Sequence, residues 1–476
     1  MGQYQTAARD KVPFTQKAAF GAGHLVNNLL PGSLGIFMFF LLTAFGMDPF
    51  LAGLLGGLPR IYDAITDPIM GFISDNTKSR FGRRRPYIFA GAILSGVLFA
   101  VLWQLYPQNS QMYNFWYFLI FSLIYLTGNT IFSTPLIGLG YEMSSDYNER
   151  TRLMAFSQTF GQVAWMIVPW FWVLIANPNL FETQAIGVRR LSVVVGAICI
   201  VLGILPAIFC RGIDASKMEN RKEITFKTLL SNLKDLIRGI GLVFKNKPFV
   251  KLCAATFLVF NGFQLVASFS YFIIVFYLFK GDYGLTGNWP AWFSTASAVT
   301  TAFLVIPVIT AIANKVGKRK AFIISTAISI VGYALKWFGF NPENPWLMFM
   351  PLPLMAFGIG GLFTLMMSMT ADVCDLDELS NGMPRKEGTF GAIYWWMVKL
   401  GQAIALILGG LVLKLVGFDQ NAAVQAAETI TRLRIADITI PALTALIAII
   451  VMWKYDLTEE KAREIKAELE ARRGVL

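Results

Sequence analysis

Three charged residues share one strongly apolar stretch, Leu58-Pro-Arg60-Ile-Tyr-Asp63-Ala-Ile-Thr-Asp67-Pro-Ile-Met-Gly71. Spacings of three and four place Arg60, Asp63 and Asp67 on one face of a helix. Two carboxylates one turn apart in a low-dielectric interior repel each other, and both stay ionised only beside a cation, an arginine or a shared proton. Hard carboxylate oxygens suit Na⁺ or H⁺, so the chemistry expected here is the binding of a coupling cation by Asp63 and Asp67. The other use of these charges is an Arg60–Asp63 ion pair that locks helix packing, for which a second acid at 67 is unneeded. Lys399, in Ile393-Tyr-Trp-Trp-Met-Val-Lys399-Leu-Gly-Gln-Ala403, is another deep charge. It is too far inside its run to snorkel easily. It reads either as a counter-charge meeting the two acids across a pseudo-twofold axis or as an ammonium held by nearby carbonyls. Lys336 and Lys414 stand closer to the ends of their runs, and snorkelling is expected for both.

Such charges need long apolar helices around them. Of the 476 residues, 55% are hydrophobic and only 15% charged, against roughly 25% charged in a soluble domain. A helix crosses a bilayer with about 20 apolar residues. Runs of that kind recur near 18–45, 50–74, 86–105, 113–138, 153–176, 189–210, 248–279, 290–313, 321–340, 346–370, 389–417 and 435–453. They are rich in Gly and interrupted by Pro, which membrane helices tolerate. The 41 Lys and Arg are unevenly spread. Most fall in the two tails and in the segments 75–86, 140–153, 211–251, 314–320 and 371–388. The alternating loops hold only Arg189, Arg190, Lys280, Arg432 and Arg434. The positive-inside rule then puts both termini in the cytoplasm of a multi-pass protein of the cell's inner (plasma) membrane. Topology and anionic lipid account for the net charge of +12, so no nucleic-acid partner is expected.

The segment 211–247 is the longest polar stretch. It reads as a cytoplasmic linker with an amphipathic helix on the membrane surface, Ile224, Phe226, Leu229, Leu230, Leu233, Leu236 and Ile237 alternating with Lys227, Lys234, Asp235 and Arg238. It divides the chain into six spans over 1–210 and six over 248–454, followed by a tail at 455–476. Gly82-Arg83-Arg84-Arg85 follows the second span and Gly317-Lys318-Arg319-Lys320 the eighth, about half the chain length apart. An all-α membrane protein with twelve transmembrane helices in two parallel six-helix halves is the signature of the major facilitator fold.

Amides and aromatics are interleaved along several spans: Asn27 and Asn28, Asn129, Gln158 and Gln162, Asn261 and Gln264, with Trp165, Phe263, Tyr394, Trp395 and Trp396. Amides beside an aromatic platform suit a hydroxyl-rich solute, which makes Asn27, Gln158, Trp165, Gln264 and Trp395 candidate contacts. Interhelical hydrogen bonding is an equal use for any one amide. No GxxxxGK[ST] phosphate loop occurs. Asp375-Leu376-Asp377 reads as part of a solvated loop rather than a glycosyltransferase motif. Cys199, Cys210, Cys253 and Cys374 read as small buried residues, and the single His24 excludes a His-rich metal site. An enzyme and a cofactor are therefore not expected.

The run from Asp63 through Gly71, Asp75 and Arg80-Phe-Gly82 to Pro86 closely resembles the second-helix signature of the glycoside–pentoside–hexuronide:cation symporter family, whose archetype is the melibiose permease. The block from Ala371-Asp372 through Asp375, Asp377-Glu378 and Arg385-Lys-Glu387-Gly388 to Lys399 is similar to its tenth and eleventh helices, and Tyr455-Asp-Leu-Thr-Glu-Glu-Lys461 to its ending. The resemblance implies sugar–cation symport by alternating access. It implies that Asp63 and Asp67 bind Na⁺, Li⁺ or H⁺, that Lys399 lies beside that site, and that Asp75 with Arg80, Arg83, Arg84 and Arg85 forms a cytoplasmic gate; Lys399 and Arg60 are expected to tune the cation site. The archetype carries a first-helix Lys-Asp pair where this chain has His24-Leu-Val-Asn27-Asn28. Its fourth-helix acid falls on Ser133 and its fifth-helix arginine on Gln158, so galactoside specificity is not carried over. The expected activity is cation-coupled symport of a sugar or glycoside by a monomer. The alternatives are lysolipid transport on the same cation site, or solute sensing without transport.

Overall fold

The structure, a computed structural model, describes residues 11–143, 147–211, 224–225, 227–228, 230–231, 234, 241, 244–381 and 387–473. All regular structure among them is helical. The chain divides into two compact units, Met1–Leu233 and Lys234–Leu476.

The first unit holds α1 (Phe14–Thr43), α2 (Pro49–Asn76), α3 (Arg85–Leu102), α4 (Gln111–Glu142), α5 (Tyr147–Ile167), α6 (Trp170–Ala176), α7 (Gln184–Gly203) and α8 (Leu205–Phe209). Asp48 starts α2, accepting from the Phe50 and Leu51 amides at 2.9 and 3.2 Å, with Pro49 at the position that needs no donor. α1 packs on α5 and α7, α3 on α4 and α7, and α2 on α4. Between α3 and α7 the backbones touch. A Cβ on Gly96 would fall 2.5 Å from the Gly196 carbonyl, and one on Gly196 would fall 2.4 Å from the Gly96 carbonyl. With no apolar driving force between helices in lipid, such close backbone packing does the work.

The second unit holds α9 (Lys247–Ile273), which runs on as a π-helical turn over Ile274–Leu278, then α10 (Trp289–Thr300), a second π-helical turn over Thr301–Val305 and α11 (Ile306–Val316). α12 (Lys318–Gly339), α13 (Leu352–Asn381), α14 (Glu387–Leu415), α15 (Ala427–Trp453) and α16 (Glu459–Arg473) follow. α9 packs on α14 and α15, α12 on α13 and α15, and α16 on α13.

Among the described residues, eleven helical segments are long and apolar enough to cross a membrane, and α2 is not one of them. Its 28 residues are long enough, but Arg60, Asp63 and Asp67 lower its hydropathy. With α2 counted, each unit carries six long helices.

Two expectations are corrected. The span at 153–176 is broken into α5 and α6 at Val168-Pro169, because proline lacks the N–H an unbroken helix needs. Asp375 and Asp377 do not lie in a loop. They sit on α13, which continues to Asn381. Within the expected tail, Glu459–Arg473 form α16. Most of the expected linker helix, including Phe226, Leu229, Leu233, Leu236 and Ile237, lies outside the described residues, as does Arg385.

Candidate functional site

α2 carries Asp63 and Asp67 one turn apart toward α4, and α4 answers with Thr127, Thr130 and Thr134, spaced three and four apart on one face. Asp63 is 4% exposed. The Thr130 hydroxyl lies 3.0 Å from Asp63 Oδ1 and 3.2 Å from Asp67 Oδ1. Thr134 Oγ1 donates to Asp67 Oδ1 at 3.4 Å. The Thr66 and Thr130 hydroxyls are 3.3 Å apart, and the Tyr62 and Thr127 hydroxyls 2.9 Å apart. A threonine hydroxyl has one proton, while ionised carboxylates only accept. Two acids and a cluster of hydroxyl oxygens thus form an oxygen-rich group whose chemistry suits a hard monovalent cation or a proton. Arg60 forms no ion pair among the described residues, so the helix-locking use of its charge has no support. Sequence reasoning passed over the three threonines, although their helical spacing on the fourth span was a readable signal.

The solute candidates fall on both units. In the first, Trp165 on α5 donates its indole N–H to Asn28 Oδ1 at 3.1 Å, and Asn28 donates to the His24 carbonyl at 2.9 Å. Asn28, rather than its half-buried neighbour Asn27, therefore holds the tryptophan. Gln158 lies on α5, and its side chain lies outside the described residues. In the second unit, Gln264 is half-buried on α9. Trp395 is exposed on α14 and stacks on Phe363 with centroids 6.1 Å apart and planes at 20°. Lys399 stands four residues on, half-buried on the same helix face. Asn261 donates to its own helix at the Phe257 carbonyl.

At the turn after α2, Arg84 Nη2 pairs with Asp75 Oδ1 at 2.5 Å and Arg83 Nη1 donates to the Asp75 carbonyl at 3.3 Å. Gly82 takes φ 89° to make the turn. Arg85 is drawn elsewhere, donating to the Ala207 and Ile208 carbonyls at the end of α8 at 2.6 and 3.1 Å. Arg80 lies over the Phe81 ring. The corresponding turn of the second unit pairs Lys318 Nζ with both oxygens of Asp372 on α13, at 2.8 and 2.7 Å.

Lys336 is not a snorkelling residue. It is 2% exposed and forms an ion pair with Asp437 of α15, itself 1% exposed. Its ammonium also donates to Ser270 of α9 at 3.3 Å and faces the Phe340 ring at 5.0 Å. Nearness to a helix end misled the reading, because the acid that captures the lysine comes from another helix. Asp437 was readable as a charge inside the last span but was passed over. Among the described residues, no group of three or more His, Cys, Asp or Glu comes together to hold a metal.

A family model for MFS/sugar transport proteins matches residues 19–459. An uncharacterized symporter of Synechocystis sp. is 25% identical over 98% of both chains. The glucuronide carrier protein homolog of Escherichia coli is 25% identical over 96% of this chain and 95% of its own. The sodium-dependent lysophosphatidylcholine symporter 1 of Gallus gallus is 23% identical over 97% and 90%. Among solved structures, the nucleoside transporter NupG superposes with a TM-score of 0.66 at 14% identity, covering 93% of this chain and all of its own.

Proposed function

This chain belongs to the MFS/sugar transport protein family, and from that membership we propose that it is a secondary transporter that couples a cation to the uptake of a sugar or glycoside. The observation that carries the reading is the Thr130 hydroxyl set between Asp63 and Asp67. Each ionised acid within the bilayer costs about 2.5–3.5 kcal/mol even on a lenient scale. A bound Na⁺, Li⁺ or H⁺ cancels their mutual repulsion and lets Thr130, Thr134 and Thr66 serve as neutral oxygen partners. Loading the cation together with the solute then removes the charge penalty that hinders alternating access. In this reading Lys399 and Arg60 tune the acids. Asn27, Asn28 with Trp165, Gln158, Gln264 and Trp395 are the solute contacts. Both termini face the cytoplasm, by the loop charges.

The test is uptake by purified protein in liposomes of a panel of glycosides, pentosides, uronides and lysolipids. Each is run under an inward Na⁺ gradient, an inward H⁺ gradient and none, with Asp67→Asn in parallel. Gradient-driven accumulation of a glycoside, lost in Asp67→Asn, is the expected result. Accumulation driven equally well in Asp63→Asn and Asp67→Asn sinks the mechanism. Lysolipid transport is the second reading. It is favoured by the lysophosphatidylcholine symporter among the relatives and by the absence of an acid in His24-Leu-Val-Asn27-Asn28. Lysolipid accumulation without glycoside accumulation would select it.

A further inference from the structure

We propose that the first unit carries a phospholipid headgroup site at the end away from its basic turn, with the Arg189 guanidinium receiving the phosphodiester. α3 starts at Arg85, which reaches the Ala207 carbonyl of α8, just beyond α7. Tyr106 follows the far end of α3, and half-buried Arg189 stands in the second turn of α7. Its guanidinium lies over the Tyr106 ring, 4.2 Å from the centroid. Both partners are fixed through their backbones. Buried Asn114 of α4 donates to the Tyr106 carbonyl at 2.9 Å, and Gln104 donates to the Arg189 carbonyl at 3.4 Å.

The stacked guanidinium keeps its donors unspent. Among the described residues Arg189 has no ion pair, and its buried Nε has no hydrogen-bond partner. Glu182, the nearest acid in sequence, is exposed and does not pair with it. A guanidinium presents its N–H donors in a planar fork that matches phosphate. The second unit supplies the comparison. On α15, the last of its long spans as α7 is of the first, Arg434 is held between the Tyr277 and Trp337 rings, 4.0 and 4.3 Å from their centroids. It also donates to the Trp337 carbonyl at 2.6 Å. Arg189 has one ring and, among the described residues, no acceptor, so its fork is available to an anion.

The surface beside the arginine selects a lipid over a free anion. Arg190, Val194, Ile198 and Val201 are exposed and follow one another along α7 at spacings of four, four and three, which is one helical stripe. From Arg190 to Val201 the helix rises about 16 Å, close to the ~15 Å depth of the hydrocarbon in one leaflet. A basic head over an apolar stripe of that depth is complementary to an anionic phospholipid.

The test is native mass spectrometry of the purified full chain in detergent, titrated with dioleoylphosphatidylglycerol. Arg189→Gln should weaken the first bound lipid about tenfold, the worth of one hydrogen bond between charged groups. Arg434→Gln should stay within about twofold of the parent, because its donors are engaged inside the protein. Equal binding by the parent and Arg189→Gln overturns the proposal. So does an equal loss in Arg434→Gln, which marks a general effect of charge. Dioleoylglycerol has the same chains and no phosphate, and it should not compete. Equal competition shows that the chains alone are held, and the headgroup site falls. Displacement of the lipid by an equal concentration of inorganic phosphate makes this a soluble-anion site and overturns the lipid assignment. Phenylglyoxal labelling of the parent, read by peptide mass spectrometry, decides the matter if either variant fails to fold. Phosphatidylglycerol should slow modification of Arg189 by about threefold or more, because the bound phosphate covers the fork, with exposed Arg432 unchanged as the internal standard. Equal labelling of Arg189 with and without the lipid overturns the site.

Discussion

A threonine hydroxyl offers one proton, and at Thr130 that proton faces two carboxylate oxygens at 3.0 and 3.2 Å. Valine has the same shape and no hydroxyl. A hydrogen bond to a charged group is worth about 1.5–3 kcal/mol, roughly one to two decades of affinity. Thr130→Val should therefore weaken the coupling cation's half-saturation for uptake by about tenfold or more, whereas Thr130→Ser should stay close to the parent. Cation titration of uptake in proteoliposomes checks this, and equal half-saturation in both variants would remove Thr130 from the site. The Lys336–Asp437 pair behaves by a different rule. A buried ion pair stabilises little over an apolar pair of the same volume, but removing one member strands the other, at a cost of about 3–5 kcal/mol. Lys336→Met and Asp437→Asn should each lower the thermal midpoint sharply. Lys336→Met combined with Asp437→Leu should recover most of the loss, as read by thermal unfolding in detergent.

Helices here carry departures from regularity where they meet charge or end abruptly. Pro169 ends α5 and lets the chain restart as α6. The π-helical turn after α9 begins four residues beyond Ser270, the hydroxyl that touches Lys336. α16 is the element whose attachment is most open to test. Tyr455, Leu457, Ile465 and Leu469 are buried in the core of the second unit. Arg319 donates to the Tyr455 carbonyl at 3.0 Å, and Lys251 pairs with Asp456 at 2.7 Å. The hydrogen bond from Lys251 holds the Asp456 carboxyl below the usual carboxylate range, with the charges of Lys251, Lys461 and Lys247 adding to it. A depressed carboxylate stabilises the folded form above its unfolded pKa of about 3.9, and that contribution is lost as pH falls through the lower folded value. The stability difference between parent and Asp456→Asn should therefore be constant from about pH 8 to pH 5 and vanish only in strong acid. Because Asp456 is exposed, salt should reduce it. Thermal unfolding across that pH range, at low and high salt, checks both statements.

At the scale of the whole molecule, the prediction concerns orientation. The uneven spread of Lys and Arg among the loops predicts both ends of the chain on the cytoplasmic side. Reporter fusions after Leu476 and ahead of Met1 should both register there, and opposite sides would overturn the even count of crossings. How far the sequence alone reached follows a physical line. Membrane spans were legible because crossing lipid demands about 20 apolar residues in a row. The acids of α2 stood out because charge is rare and expensive in such runs, and the repeat of basic turns after the second and eighth spans marked two similar halves. These are properties of contiguous sequence. What contiguous sequence does not encode is which residues of separate helices meet. Thr130 joining Asp63 to Asp67, Asp437 capturing Lys336, and Asn28 rather than Asn27 holding Trp165 all come from helix packing. A side chain's neighbours across a helix interface depend on the rotation and depth of both helices, and a shift of one residue turns a helix by about 100°. The amino-acid order therefore determined the membrane class, the two-part plan and the acids that bear the charge, while the tertiary structure alone decided which hydroxyls stand beside those acids and which buried acid meets Lys336.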